Sequence, residues 1–276
     1  MPSLSRCCKL TASLVTLGVA ASVTGAALAQ STFPDVPLDY WAQPFIERLA
    51  ARNIIVGYPD GTFRPEQAVQ RDEFAAMIRK AFEKEPVRQI KDASVYQDIP
   101  QGNWAAPAIE EAYQQGFMSG YPDGFFRPNQ PVSRIDAIVT LTRGLNLTPE
   151  PQKITGRMVK RPIYLPLAMT SLMQPLVSAP QTTTNVTALA QNYYADAQQI
   201  PQYAINDVGI ATQKNIVVNY PNPRELNPNL PLRRSTAAAF IHQTLVARNQ
   251  MEPLPSNVEA YNYIVRPQVN MVAEGN

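Results

Sequence analysis

Apolar residues recur at helical spacing in paired blocks along the chain. In the first block Trp41, Phe45 and Leu49 fall on one line with Ala42, Ile46 and Ala50 beside them, which predicts a helix from about Trp41 to Arg52. Pro44 fits because it falls in the first turn, where its missing donor has no helical partner. A second stripe of Phe74, Met77, Ile78 and Ala81 predicts a helix over 71–81. Between the two lies Gly57–Phe63, where Asp60-Gly61 signals a tight reversal.

This helix–turn–helix pattern returns. The stretch Gly57–Glu73, GYPDGTFRPEQAVQRDE, reappears as Gly120–Asp136, GYPDGFFRPNQPVSRID, and in a more diverged form as Asn219–Thr236. Repeat 1 therefore spans 33–82, repeat 2 spans 96–145 and repeat 3 spans 193–248, with Tyr203 in the place of Trp41 and Trp104 and Asn219 in the place of Gly57 and Gly120. Residues 83–95 read as a charged connector, 146–192 as a Pro/Thr/Gln-rich insertion and 249–276 as a loose tail. Units this small cannot bury an adequate core singly, so the pattern predicts one body of three stacked units.

Residues 1–29 read as an export signal: Arg6 and Lys9 open it, Leu10–Leu28 is apolar, and Ala27-Leu28-Ala29 offers a small-x-small cleavage site. Cleavage there removes Cys7 and Cys8, so no disulfide is expected in the mature chain, and no second apolar run suggests an integral membrane span. Removing Arg6 and Lys9 from 24 basic residues also leaves as many as the 22 acidic ones, which gives no long-range attraction to nucleic acid.

The residues Phe33-x-Asp35, Trp41-Ala42, Gly57-Tyr58-Pro59-Asp60-Gly61-Thr62-Phe63-Arg64-Pro65 and Arg71-Asp72-Glu73, nearly all repeated in the second unit, resemble the S-layer homology domain family. The resemblance implies a mainly α body of three helix–turn–helix repeats with pseudo-threefold symmetry, exported to the cell wall surface or periplasm. It also implies noncovalent binding of an anionic secondary cell-wall polysaccharide, or of a peptidoglycan-associated polymer, in grooves between units. Arg71, Arg134 and Arg234 stand at helix starts where open backbone donors and a planar guanidinium favour an anion, and the resemblance assigns them to the polymer.

Trp41, Trp104 and Tyr203 can stack on a sugar ring or pack in the core, and Asp60 and Asp123 can face ligand or cap their own turns. Gly57, Gly61, Gly120, Gly124 and Asn219 read as structural turn positions, with Gly57 and Gly120 expected to hold backbone angles that a side chain resists. Glu73, and Ser133 with Asp136, are spaced to close helix caps, whereas Arg233 and Thr236 leave the third unit without that box and with altered binding expected there.

No catalytic residue is assigned. His242 is the single histidine, and neither a phosphate loop, a nucleophile elbow nor a Cys/His metal set is present. No metal or cofactor is expected. The expected role is a noncatalytic anchor on an acidic envelope polysaccharide, the alternatives being a noncatalytic envelope scaffold that binds a protein partner and, least, a periplasmic glycan-processing enzyme.

Overall fold

The computed structural model describes residues 32–149 and 182–267. The export signal over 1–29 and the larger part of the 146–192 insertion lie outside the described residues. Among those described, seven α-helices and no extended strands form the body: α1 (Gln43–Ala50), α2 (Arg71–Ala81), α3 (Ala106–Gln114), α4 (Arg134–Gly144), α5 (Thr182–Tyr193), α6 (Ile205–Gln213) and α7 (Arg234–Ala247). The protein is mainly α, with one helix pair per repeat. Helix α1 starts two residues after Trp41 and ends at Ala50, shorter than its apolar stripe, while α2 has the bounds that its stripe predicts.

A cycle of three backbone hydrogen bonds closes the repeats on one another. Val69 N donates to Leu232 O (2.8 Å), Leu232 N to Val132 O (2.7 Å) and Val132 N to Val69 O (2.9 Å). These residues occupy the same position before the second helix of each repeat, so the cycle follows the pseudo-threefold axis. Each second helix packs on the first helix of the next repeat: α2 on α3, α4 on α6, and α7 on α1. The apolar stripes seen in the sequence are thus buried between units, and Phe45, Ile46, Leu49, Phe74 and Ile78 are almost wholly inaccessible.

Inside each repeat an aspartate holds the turn. Asp35 accepts from Phe63 N (2.8 Å) and Arg64 N (2.6 Å), Asp98 from Phe126 N (2.8 Å) and Arg127 N (2.6 Å), and Asp196 from Leu226 N (2.9 Å) and Asn227 N (2.6 Å). The clamped residues Arg64, Arg127 and Asn227 have φ of 56°, 59° and 51°. This left-handed conformation costs least for Asn, and in the other two units the carboxylate offsets it.

The glycines divide differently from the sequence expectation. Gly61 and Gly124 carry the positive φ, 81° and 83°. Gly57 does not: a Cβ there would meet Phe33 at 2.7 Å and Thr62 O at 2.8 Å, and one at Gly120 would strike Tyr96. Close packing of the turn against the aromatic residue two positions before the clamping aspartate is the constraint, not backbone angle. In the third unit Asn219 is buried and donates through Nδ2 to Pro223 O (3.0 Å).

The tail differs from the loose one expected, and two other stretches are packed into the body as well. The end of the insertion forms α5, which packs on α6 so closely that a Cβ on Gly209 would strike the Val186 carbonyl. The connector is ordered: Val87 N and Arg88 N both donate to Gln114 O at the end of α3. The tail through 267 is also packed, since Asn219 N donates to Tyr263 O (2.9 Å), Val265 N donates to Val217 O (2.8 Å), and Met251, Leu254 and Ile264 are buried. Tertiary packing orders these segments where periodicity alone gives no sign of it.

Candidate functional site: the grooves between repeats

Threefold closure dictates where each candidate residue goes. Arg71 donates through Nε to Phe126 O (2.9 Å) and through Nη2 to Ser119 O (2.8 Å). Arg234 does the same to Phe63 O (2.8 Å) and Val56 O (3.1 Å), and Arg134 to Leu226 O (2.8 Å) and Asn219 Oδ1 (2.5 Å). Each guanidinium therefore crosslinks one repeat to the turn of the next. Arg134 is 9 % exposed, and burial pushes its pKa down to about 10, still charged at neutral pH. Burial pushes Arg71 and Arg234 down as well.

The helix starts are largely closed. Arg71 N and Asp72 N donate to Gln130 O and Pro128 O, Arg134 N and Ile135 N to Leu230 O and Pro228 O, and Arg234 N and Ser235 N to Gln67 O and Pro65 O. The third amide is also taken in two repeats, Glu73 N by Asp72 Oδ1 (2.7 Å) and Asp136 N by Ser133 Oγ (3.1 Å). Glu73 Oε2 returns a bond from Gln70 N (3.0 Å), and Asp136 accepts one from the Ser133 hydroxyl (2.7 Å). The expectation of open donors thus fails at α2 and α4, because neighbouring turns and caps fill them.

At α7 it holds in part. Its N-cap is Arg233, whose side chain gives no capping bond and pairs with Glu66 instead, so the Thr236 amide has no cap. The adjoining Ser235 hydroxyl is almost wholly buried and makes no well-formed hydrogen bond, its polar contact being with the Tyr40 side chain. Arg134 has no carboxylate partner among the described residues, whereas Arg234 has Glu73 at 3.7 Å.

These groups line one cavity. It occupies about 450 Å³ between repeats 3 and 1 and is bounded by Trp41, Arg134, Tyr220, Arg233, Ser235 and Thr236. Two carboxylates, Glu66 and Glu225, share its rim, Glu66 engaged by Arg233 and the Tyr40 hydroxyl and Glu225 by Asn222. Tyr220 stacks on Trp41 with ring centroids 5.1 Å apart and planes 4° apart, and Tyr263 meets the edge of both.

The related groove between repeats 1 and 2 is larger, about 830 Å³, and more apolar; Val56, Tyr58, Met77 and Lys80 form one wall and Trp104 the other. The two tryptophans, equivalent in sequence, therefore part company: Trp41 is 9 % exposed and Trp104 is 65 % exposed. At the corresponding junction of repeats 2 and 3, Tyr203, 56 % exposed, donates its hydroxyl to Asp136 Oδ1 (3.3 Å).

Asp60 and Asp123 lie on the outer turns, paired with Arg64 (2.7 Å) and Arg127 (2.6 Å). The Thr62 hydroxyl and then the Arg64 guanidinium hold Asp60 well below the usual carboxylate range, and Arg127 with the Phe125 amide lowers Asp123. Neither lines the two grooves just described. Ser235 was missed in the sequence because its counterparts, Asp72 and Ile135, are of other types; Tyr220, the counterpart of Tyr58 and Tyr121, was passed over because its stacking on Trp41 is a contact between repeats. Among the described residues, no cluster of three or more His, Cys, Asp or Glu side chains is placed to hold a metal, and no helix is long and apolar enough to cross a membrane.

The model of the S-layer homology domain matches residues 32–75, 96–138 and 193–238, the three structural repeats. A cellulosome-anchoring protein from Acetivibrio thermocellus is 34 % identical over 119 residues, 43 % of this chain and 27 % of that relative. Exoglucanase XynX from the same species is 38 % identical over 104 residues, 37 % of this chain and 9 % of the enzyme, and the S-layer protein sap of Bacillus anthracis is 32 % identical over 129 residues, 47 % and 15 %. The chain thus spans about a quarter or less of the length of each. With three matched units closed in a cycle of shared backbone bonds and crosslinking arginines, the chain belongs to the S-layer homology domain family.

Proposed function

We propose that this chain is a noncatalytic anchor at the cell envelope, whose inter-repeat grooves hold an anionic polysaccharide without changing it covalently. The observation that carries the reading is the cavity between repeats 3 and 1. A buried guanidinium without a carboxylate, an uncapped helix amide and a hydroxyl with no well-formed hydrogen bond converge there, at Arg134, Thr236 and Ser235. Buried donors of this kind carry a desolvation cost that an anionic sugar substituent would relieve. Trp104 adds a bare aromatic face beside the wider groove, suited to the apolar side of a sugar ring.

Similarity to a cellulosome-anchoring protein and an S-layer protein supports an envelope location and an anchoring role. The similarity to an exoglucanase covers 9 % of that enzyme and falls within the family also shared by the cellulosome-anchoring and S-layer proteins, which supports a role outside catalysis.

The test is cosedimentation with wall sacculi before and after removal of their acidic accessory polymer. Pelleting is expected only with the polymer present. Thr236→Glu puts at α7 the acid that α2 has in Glu73, beside Arg134. It should raise stability by about 1 kcal/mol through capping and the helix dipole, yet abolish pelleting. Pelleting that survives this change rejects the cavity as the anion site. Trp104→Ala should weaken retention by about tenfold while leaving the melting temperature in place, because the ring is exposed. Unchanged retention would remove the platform from the reading.

A further inference from the structure

The junction between repeats 1 and 2 has an opening that the junction between repeats 3 and 1 lacks. At the latter, two arginines on or just after α1 tie down the segment following α7: Arg48 Nη1 donates to Glu252 O (2.9 Å) and Pro253 O (3.1 Å), and Arg52 Nη1 to Gln250 O (2.6 Å). The residues at the same repeat positions of α3 are Glu111 and Gln115. A carboxylate accepts hydrogen bonds and cannot tie carbonyls. The junction stays open as a groove of about 710 Å³, lined by Glu83, Glu85, Pro86, Pro107, Glu110 and Glu111, with Lys84, Gln114 and Gln115 completing it.

Its charges are unequally engaged. Glu111 pairs with Arg79 (2.6 Å), and Glu110 accepts from Gln114 (3.1 Å). Lys84 is withdrawn onto the carbonyls of Gln115 and Gly144, at the ends of α3 and α4, where a cation suits the helix dipole. Glu83 and Glu85 are exposed and make no ion pair among the described residues. Arg88, the next cation along the connector, stacks on Tyr113.

A second observation is independent of the acidic cluster. Gln115 is 4 % exposed, and its Oε1 has no hydrogen-bond partner. The amide cannot be turned to remedy this, because its Nε2 donates to Glu111 Oε1 (2.9 Å) and the oxygen would then face a carboxylate. The groove is short of a donor, and no metal-holding cluster is present among the described residues.

We propose that this groove receives an arginine or lysine side chain from a partner protein. It would bond there to the free glutamates and the unsatisfied amide oxygen, as Arg48 and Arg52 serve the other junction from within the chain. Pro86 and Pro107 provide apolar walls for the aliphatic stem. The site is separate from the grooves assigned to polysaccharide.

A hexa-arginine peptide titrated calorimetrically into the chain, with hexaglutamate as control, tests this. One-to-one binding of hexa-arginine alone is expected. The triple variant Glu83→Gln, Glu85→Gln, Glu110→Gln should weaken it by about tenfold or more at unchanged melting temperature. Gln115→Arg, supplying in cis the donor that Arg52 supplies in repeat 1, should abolish peptide binding and raise the melting temperature. Equal affinity in the triple variant, or full binding by Gln115→Arg in a folded protein, would overturn the proposal. Cosedimentation with polymer-bearing sacculi should be normal in both variants, whichever way the peptide result falls.

Discussion

Arg134→Ala is expected to lower the melting temperature by roughly 10 °C, and to do so without any ligand present. The guanidinium donates to Leu226 O and Asn219 Oδ1 across the junction between repeats 2 and 3. Alanine leaves both acceptors buried and unpaired, a loss of about 3 kcal/mol for two charge-assisted bonds. For a body of this size each kcal/mol moves the midpoint by about 2–4 °C. Arg134→Lys should recover little, since one ammonium on a flexible stem cannot reproduce the planar fork that reaches both acceptors. Arg71→Ala should cost less, because its guanidinium is only partly buried. Thermal unfolding followed by circular dichroism decides the matter. An unchanged midpoint in Arg134→Ala would mean that these arginines serve ligand and not assembly. Loss of polymer retention in this variant alone would not establish contact with polymer, so Thr236→Glu is the informative substitution for binding.

The paired helices of the repeats, the three units and their order could be read from the apolar period and the recurring turn, because each is a local pattern; α5 could not. The partners of the arginines could not. Arg234 bonds to carbonyls of Val56 and Phe63, more than 170 positions earlier, and backbone acceptors leave no mark on residue type. The same limit separates Trp41 from Trp104. Both repeats present the same tryptophan, but Tyr220 and Tyr263 cover only the first, and Tyr263 belongs to a segment with no apolar period of its own.

The absence of a capping box in the third repeat was plain in the sequence, yet its consequence depends on packing. Turns from the next repeat satisfy two amides at the start of each second helix, α2, α4 and α7. Only the third amide depends on the local cap, so the missing box exposes a single donor instead of a frayed helix. Beside it Arg134, held by Leu226 O and Asn219 Oδ1, lacks the carboxylate that Arg234 has in Glu73. Divergence in one unit and closure by the other two together make the cavity unlike its relatives.

The same closure makes His242 a source of acid lability. It lies in α7 against Phe45 of α1, fully buried, with ring centroids 5.2 Å apart and Nε2 without a hydrogen-bond partner. Burial, reinforced by Arg48 and Arg52, pushes its pKa from 6.5 down to about 4. The unfolded chain therefore takes up this proton at a higher pH than the folded one. Its contribution to stability, about 3 kcal/mol, is complete above pH 6.5 and is lost as pH falls towards 4. Asp60 and Asp123, held below the usual carboxylate range, lose their contributions at lower pH, so the two windows are separable. Urea midpoints measured from pH 7.5 to 4 should fall steadily below pH 6.5 in the parent chain. His242→Leu, which keeps an apolar side chain against Phe45 and removes the titration, should flatten the curve over that interval. A parent curve already flat there would show that the α1–α7 junction admits the proton without opening, and a slope that persists in the leucine variant would assign the acid lability to other groups.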